Sequence, residues 1–556
     1  LHTKLYQLSA VSGHEAEIQE AAAILKAGGL LAIPTETVYG LGADALNADA
    51  VARIYQAKGR ASDNPLIIHI PDESWLDTYC QNIPPLAYRL AEAFWPGPLT
   101  MILPRKPLVP DRTTGGLDTV GVRCPDHPIT LAIIKAAGVP IAAPSANTSG
   151  RPSCTNAQEV LEDMDGKIEG IVDGGPSSVG VESTILDLTV EPPQLLRPGG
   201  LPLEELKAVC GTITIDKAVT GLLQAGEAPR APGMKYRHYA PNAPVTVVTG
   251  KPEKCAAYIQ KRLTPTTGII CFEEFLPLFS GLEVHSLGPA WDKGEQSRRV
   301  FSALRAFDGT PTTQIFAQCP DPAGLGFAVG NRLQKAAGFH VIDLGEDDYV
   351  IPTIGLVGGS GAGKTTVLRV LAQFGAEVLD CDQIYHELLA SSADLRNALC
   401  QRFGDDLFSQ GSLDRQRLAS LVFSDPDARA DLNGITFRFI THEVRRRCAA
   451  AQRAHKRCAV IDGAVLLESP LAQDCDHLVA VVAEESLRLQ RIMARDGLAE
   501  AAARARLAAQ APQEVLAQQC DHILINNSTE AALAERSAAL FSQLLHIPTK
   551  GCIDDE

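Results

Sequence analysis

The stretch GLVGGSGAGKTT, Gly355 to Thr366, constrains the fold more tightly than any other part of the 556-residue chain. Gly358 to Thr365 is a complete match to G-x-x-x-x-G-K-[ST]. It follows an apolar run, TIGLV, and leads into TTVLRVLAQFG. A strand, a glycine-rich turn and a helix in that order leave successive backbone N–H groups free to wrap phosphate oxygens, and the helix N-terminus adds a favourable dipole. Gly358, Gly361, Gly363 and Thr366 belong to the expected phosphate-binding turn. Lys364 is expected to reach the β- and γ-phosphates, and Thr365 to complete a Mg2+ shell. This part of the chain is therefore expected to bind ATP as a P-loop domain on a parallel sheet.

A P-loop that begins at residue 358 leaves a long stretch in front of it. At roughly 150 residues per domain, the whole length predicts three or four domains. Net charge is −16, which argues against broad binding to nucleic acid or anionic membrane. No run of about 18 apolar residues occurs, so no membrane span is expected. The chain opens on Leu1, and no basic segment followed by an apolar stretch marks an export signal. The 14 cysteines include no C-x-x-C pair, and they read as reduced thiols of a cytoplasmic protein, with no zinc site expected.

Patterning divides the chain into residues 1–212, 213–244, 245–346 and 350–556. In the first segment, Ser12 and Glu15 have capping-box spacing, and Ile18, Ala21, Ala22 and Leu25 make one apolar helix face that Gly28-Gly29 end. The short runs LLAIP, PLIIHI, LTMIL, TVGVR, GIVD and STILDL read as strands between helical patterns, so the segment is α/β. The stretch APRAPGMKYRHYAPNAP, residues 228–244, cannot be a helix or a central strand because of its prolines. Yet it gathers Arg230, Lys235, Arg237 and His238 with Tyr236 and Tyr239. A stiff tether and a ligand-facing basic loop are both open readings. The third segment alternates strands and helices as a small open α/β domain, without chemistry visible in its residue types.

After the P-loop, AEVLDCDQIYHELL places Asp380 and Asp382 at the carboxyl end of a strand, where open α/β sheets bind ligands. A carboxylate there can accept the proton of an attacking hydroxyl, and capping the following helix is the competing use of Asp382. SLRLQRIMARDG sets Arg488, Arg491 and Arg495 along one helical face, suited to a charged phosphoryl group or simply to solvent. With VLDCDQIYHELL, GSLDRQRLASLVF, LNGIT, VIDGAVLLES, LQRIMARDGL and DHILINN in family order, residues from Ile354 to about Asn527 resemble dephospho-CoA kinase. The resemblance implies transfer of the ATP γ-phosphate to the 3′-hydroxyl of dephospho-CoA. It puts Asp382 on the family's catalytic aspartate, Lys364 on its phosphate lysine, and Arg491 and Arg495 in its arginine-bearing lid. The chain departs from the family at Phe437-Arg438, where His-Pro is usual, and at Ala464, where Pro is common. Both changes are expected near the acceptor. A nucleotide sensor, or a kinase for another nucleoside-like acceptor, is the alternative.

The first half has no P-loop, no triad and no metal-ligand cluster. Its loops PTETVYGLGAD, AKGRASDNPLIIHI, VGVRCPDHP, APSANTSGRPS and LLRPGG carry Lys58, Arg60, Arg123 and Arg197 beside the neutral groups of Ser145, Asn147, Ser149 and Ser153. That set suits a cleft for a polyanion. In order and spacing, these loops resemble the YrdC family, the threonylcarbamoyl-AMP synthases, over residues 15–210 or so. The basic linker and the domain after it resemble the family's longer form. The resemblance implies a YrdC-like twisted α/β domain followed by a small Rossmann-like one. It further implies conversion of L-threonine, bicarbonate and ATP to threonylcarbamoyl-AMP and pyrophosphate, the product feeding tRNA-modifying partner proteins that make N6-threonylcarbamoyladenosine. Lys58 and Arg60 then act in catalysis. Asn64, Thr119, Ser145, Asn147, Ser153, Arg197 and Tyr236 join them on the nucleotide side. Thr37, His69, Arg123 and Ser183 fall around threonine, with Arg123 on its carboxylate. His69 lies in an apolar strand and could equally be a core histidine, and Cys154 stands where the family tends to have Pro. An RNA-binding or regulatory module is the alternative for this half. The chain as a whole reads as a fused, bifunctional enzyme with two ATP sites.

Overall fold

The computed structural model describes residues 2–221, 229–232, 234, 239–409, 412–423 and 425–545. The chain forms two compact units, Leu1–Val341 and Ile342–Glu556, and both are α/β.

The first unit is organised on an eleven-stranded mixed sheet. Five neighbouring strands toward one edge of it run Ile67–His69, Thr119–Arg123, Leu99–Pro104, Thr184–Asp187 and Gln194–Arg197, in that order. Register lines up a polar row across apolar strands: His69 pairs with Arg123, Arg123 with Thr100, and Arg197 with Ile185, two residues beyond Ser183. One core packs Ala48–Lys58 and Pro85–Phe94 on the sheet through Val51, Ile54, Leu90 and Met101. Another packs Glu15–Lys26 and Pro128–Ala137 through Ile18, Leu25, Ile133 and Ile134.

Two local readings of the sequence need correction. The first helix is capped at His14 without a side-chain bond, so Ser12 forms no capping box; Glu15 instead accepts from the Gly13 amide at 3.2 Å. GLGAD, expected as loop, is a strand, Gly40–Asp44, between Leu31–Ile33 and Ile141–Ala142. A Cβ on Gly42 would lie 3.0 Å from Ile141 Cγ2 and 3.0 Å from the Leu31 carbonyl, so these strands approach only because the side chain is missing.

The rest of the first unit holds a small sheet with parallel neighbours in the order Glu283–Ser286, Thr267–Cys271, Gln314–Gln318 and Val245–Thr249. Its helices Lys293–Arg305 and Gly326–Ala336 pack against loops of the large domain. Val38 and Val181 of the large domain are buried in the same apolar cluster as Phe301, Leu304 and Val329, so the two domains share a core.

The second unit carries a five-stranded parallel sheet in the order Ala376–Asp380, Cys458–Asp462, Thr353–Val357, His477–Val482 and His522–Ile525. The strand that feeds the P-loop is central, and Asp462, at the carboxyl end of its neighbour, is the register partner of Asp380 on the edge strand beyond. Lys364–Gln373 and Glu530–Leu544 build one apolar cluster with the sheet; Cys381–Ser391 and the 28-residue helix Pro426–Arg453 build another.

Candidate active sites

In the first unit a cleft of about 440 Å³ is lined by Lys58, Arg60, Ser145, Asn147, Arg197 and Glu182, among others. Lys58 ends the helix Ala48–Lys58 and is 2 % exposed. Its ammonium donates to the Ser145 carbonyl and, at 2.5 Å, to that of Asn147. Burial, with Arg60 nearby, pulls its pKa down to about 7. Arg60 donates to the Pro65 carbonyl at 3.1 Å and leaves Nε without a partner. Arg197 bonds the Ser183 carbonyl at 2.9 and 3.1 Å and the Ser183 hydroxyl at 3.2 Å. Burial lowers both guanidiniums to about 10. These three cations are held mainly by carbonyls, which orient them without neutralising them. Such a cleft has charge to spare for phosphate.

Glu182 is the acid among the described lining residues. It accepts from the Ser153 hydroxyl at 2.7 Å and from Arg332 Nε at 2.6 Å. Although burial opposes ionisation, Arg332 and then Arg197 hold its pKa down at about 2. Ser153 therefore lies one bond behind the cleft wall. Ser145 donates to Asn147 Oδ1 at 2.5 Å, which ties these two predicted ligands into one loop. Asn64 is buried with Oδ1 unpartnered, and Thr119 starts its strand; neither is among the cleft-lining residues. Tyr236 lies outside the described residues.

The residues expected around threonine form a second, deeper group. Arg123 Nη2 lies 2.6 Å from Glu36 Oε1, yet neither Glu36 oxygen has an aligned donor. His69 Nδ1 and His127 Nδ1 are also buried and unpartnered. Burial, then the neighbouring Arg123, pushes His69 down to about 3, so its ring is neutral. Ser183 and Thr100 hydroxyls meet at 2.8 Å, and those of Thr35 and Thr37 at 2.9 Å. So many orphaned buried polar atoms in one region are the signature of a polar ligand site. Glu36 and Glu182 were missed in the sequence because single acids in loops carry no periodic signal.

Cys154, at the departure from the family pattern, is fully buried and receives Arg305 Nη2 at 3.1 Å. The same nitrogen reaches the Pro152 carbonyl at 2.6 Å and Asp163 at 3.3 Å, and Asp163 in turn accepts from the Thr148 amide at 2.7 Å. A helix of the small domain thus grips the loop that presents Ser145 and Asn147.

In the second unit, Lys364 begins the helix after the P-loop and pairs with Asp462 at 2.6 Å. Burial raises the Asp462 pKa, and Lys364 opposes that rise. Arg488 and Arg491 of the helix Glu485–Asp496 hold the P-loop from the other side, donating to the Ser360 carbonyl at 3.0 Å and to the Gly361 carbonyl at 3.2 Å. Gln510 accepts from the Ser360 amide at 2.9 Å. A Cβ on Gly359 would fall 2.2 Å from Arg488 Nη2, so this approach requires the glycine. Arg495, expected beside Arg491, instead forks onto Asp496 at 2.7 and 2.9 Å and is exposed. Arg488, not Arg495, is the second guanidinium at the loop.

Asp380 caps the helix Cys381–Ser391, accepting from the amides of Asp382 and Gln383 at 2.9 and 3.1 Å. That leaves Asp382 free of the capping role and exposed in the first turn. It lines a largely apolar pocket of about 730 Å³ with Tyr385, Phe437, Ile440, Ala464 and Leu471. Both departures from the family pattern, at 437 and 464, fall on this pocket.

Three family descriptions match the chain: Telomere recombination over residues 23–199, Threonylcarbamoyl-AMP synthase C-terminal domain over 201–338, and Dephospho-CoA kinase over 352–532. A threonylcarbamoyl-AMP synthase of Bacillus subtilis is 48 % identical over 335 residues, covering 60 % of this chain and 96 % of the relative. A dephospho-CoA kinase of Syntrophotalea carbinolica is 34 % identical over 193 residues, covering 34 % of this chain and 92 % of the relative. Among solved structures, Pyrococcus abyssi Sua5 complexed with L-threonine superposes with a TM-score of 0.58 at 47 % identity, covering 62 % of this chain and 99 % of that one.

Proposed function

This chain belongs to two families, the threonylcarbamoyl-AMP synthases over its first unit and the dephospho-CoA kinases over its second, and on that footing we propose how each site works. It is a bifunctional enzyme, a threonylcarbamoyl-AMP synthase fused to a dephospho-CoA kinase, and both halves use ATP. The observation that supports the site assignments is that the first unit gathers Lys58, Arg60 and Arg197 in one cleft, while the second carries a glycine-rich loop of backbone amides before a helix.

In the synthase unit the threonine amine captures bicarbonate as a carbamate, with loss of water. A carbamate oxygen then attacks the α-phosphorus of ATP, and pyrophosphate leaves. No protein nucleophile is required; the site positions two anions and offsets charge that develops at phosphorus. Lys58, Arg60 and Arg197 face the triphosphate. Arg123, in the region of orphaned polar atoms, takes the amino acid carboxylate, its contact with Glu36 giving way to or sharing that ion pair. The product serves tRNA-modifying proteins that act on adenosine. The 13 cysteines described are all free, in keeping with a cytoplasmic enzyme, and no described helix is long and apolar enough to cross a membrane.

In the kinase unit the P-loop and Lys364 hold the β- and γ-phosphates, and Arg488 and Arg491 lie where they stiffen that loop. Asp382 takes the proton of the acceptor's 3′-hydroxyl, and the pocket beside it holds the rest of dephospho-CoA. The oxygen donors Thr365 and Asp462 suit magnesium, which would offset phosphate charge when bound.

The test is a crossed pair of assays on the full chain. Dephospho-CoA-dependent ADP release is lost in Lys364→Ala and kept in Lys58→Ala. Threonine-dependent pyrophosphate release shows the reverse. If one substitution abolished both outputs, the two-site reading would be wrong.

A further inference from the structure

We propose that Arg332 of the small domain is a positioning residue for the synthase reaction: by neutralising Glu182 in the cleft wall it allows the cleft to admit a triphosphate. The inference rests on the synthase reading of the cleft and assigns the small domain an electrostatic task within it.

The geometry is specific. Arg332 sits on the helix Gly326–Ala336 and is 0 % exposed. Its Nε meets Glu182 Oε2 at 2.6 Å, while Ser153 occupies the other carboxylate oxygen. Nη1 goes to the side chain of its neighbour Asn331 at 2.9 Å, and Nη2 has no hydrogen-bond partner. Tyr239 lies under the guanidinium, 5.6 Å from its ring centre, and against Phe301 of the small domain at 5.0 Å. Asn331 Nδ2 also reaches back to the Val219 carbonyl at 2.8 Å, which locks this turn of the helix to the large domain.

Lys58, Arg60 and Arg197 make the cleft attractive to phosphate, and Glu182 is the one acid among the described residues that line it. A buried carboxylate left without its counter-charge repels an incoming polyanion across low dielectric, and water cannot screen it. Arg332 supplies the larger, hydrogen-bonded part of that counter-charge, with Arg197 adding to it, and does so from a domain that otherwise contributes nothing to the described cleft lining. It touches neither substrate nor reacting atoms; it acts through Glu182.

The test is equilibrium dialysis of ATP on the full chain in a Lys364→Ala background, which cripples the second nucleotide site. Arg332→Ala should raise the dissociation constant about tenfold or more, and Arg332→Ala with Glu182→Gln should return it to within about threefold of the parent. Rescue by removing the acid is something a purely structural role for Arg332 would not give. An Arg332→Ala chain that binds ATP like its parent overturns the proposal, and so does a double variant as weak as the single one. Should Arg332→Ala fail to fold by thermal melting, Glu182→Gln alone decides: it must bind ATP at least as tightly as the parent, and weaker binding refutes the idea. Threonine-dependent pyrophosphate release by the parent, measured alongside, tests the synthase reading separately, since its absence counts against that reading and leaves the dialysis result to judge Arg332.

Discussion

Asp380 and Asp382 are two residues apart, but the structure gives them different work, and the difference can be measured. Asp380 spends its carboxylate on the amides of Asp382 and Gln383, while Asp382 lines the apolar pocket proposed for the acceptor. Removing a proton acceptor from the transition state costs about 10²- to 10⁴-fold, or roughly 2.7–5.4 kcal/mol of barrier. Removing an N-cap costs stability of about 1 kcal/mol and leaves chemistry alone, and asparagine caps as well as aspartate. Asp382→Asn should therefore lower kcat for dephospho-CoA-dependent ADP release by about 10²-fold or more, with KM for ATP and the thermal midpoint unchanged. Asp380→Asn should keep both the fold and most of the rate, and Asp380→Ala should shift only the melting curve. A coupled assay of ADP release, with melting followed on the same samples, separates the outcomes. If Asp382→Asn retained more than about a tenth of the wild-type kcat, or if Asp380→Asn were the dead variant, the assignment of roles would be wrong.

Other consequences follow from the same geometry. Burial pulls the Lys58 pKa down to about 7, so the ammonium proposed to face phosphate loses its proton as pH rises through that value. kcat/KM for ATP in threonine-dependent pyrophosphate release should fall on the alkaline side, and Lys58→Arg, if active, should flatten that limb; a flat wild-type profile from pH 6 to about 9 would contradict it. Gly180, at φ +85°, has Arg298 Cα 2.4 Å from where a Cβ would sit, so Gly180→Ala should push the small domain off and lower the melting point of the first unit by an overpacking cost of roughly 1–3 kcal/mol, leaving ADP release intact. Phe437→Ala strips a ring from the acceptor pocket and should raise KM for dephospho-CoA on the order of tenfold while KM for ATP stays put. Equal changes in both KM values would move Phe437 out of the acceptor's reach.

The strands with continuous branched residues, such as Ile67–His69 and Leu99–Pro104, were legible because burial on both faces needs an apolar run. Gly40–Asp44 was not, because close strand approach demanded the residues that usually mark loops. The sequence set Arg488, Arg491 and Arg495 on one helical face suited to a phosphoryl group; the fold brings Arg488 and Arg491 to the P-loop carbonyls and leaves Arg495 on Asp496, a local pairing that helical spacing does not reveal. The partners of the cleft were the least visible. Arg332 and Glu182 are 150 positions apart and each is unremarkable alone; only the fold brings them to 2.6 Å.

The two triphosphate sites also explain why one was readable at once and the other only through several loops together. A P-loop presents backbone amides, so its requirement is for missing side chains in a fixed local order: Gly359 must leave room for Arg488, and Gly363, at φ +108°, for Asn526 Nδ2, 2.3 Å from a Cβ there. The glycines of that requirement lie within eight consecutive residues, although the side chains they make room for do not. The synthase cleft presents side-chain cations instead, and each must be buried enough to be oriented yet kept from any acid that would neutralise it. Carbonyls from Ser145, Asn147, Pro65 and Ser183 meet that need for Lys58, Arg60 and Arg197, and Arg332 occupies the acid that intrudes. Those partners come from separate loops and from a second domain, so no single short motif can encode them. It follows that substitutions of these P-loop glycines should act through crowding against Arg488 and Asn526. Those around the synthase cleft act through charge balance, and a second change on a distant segment can restore them.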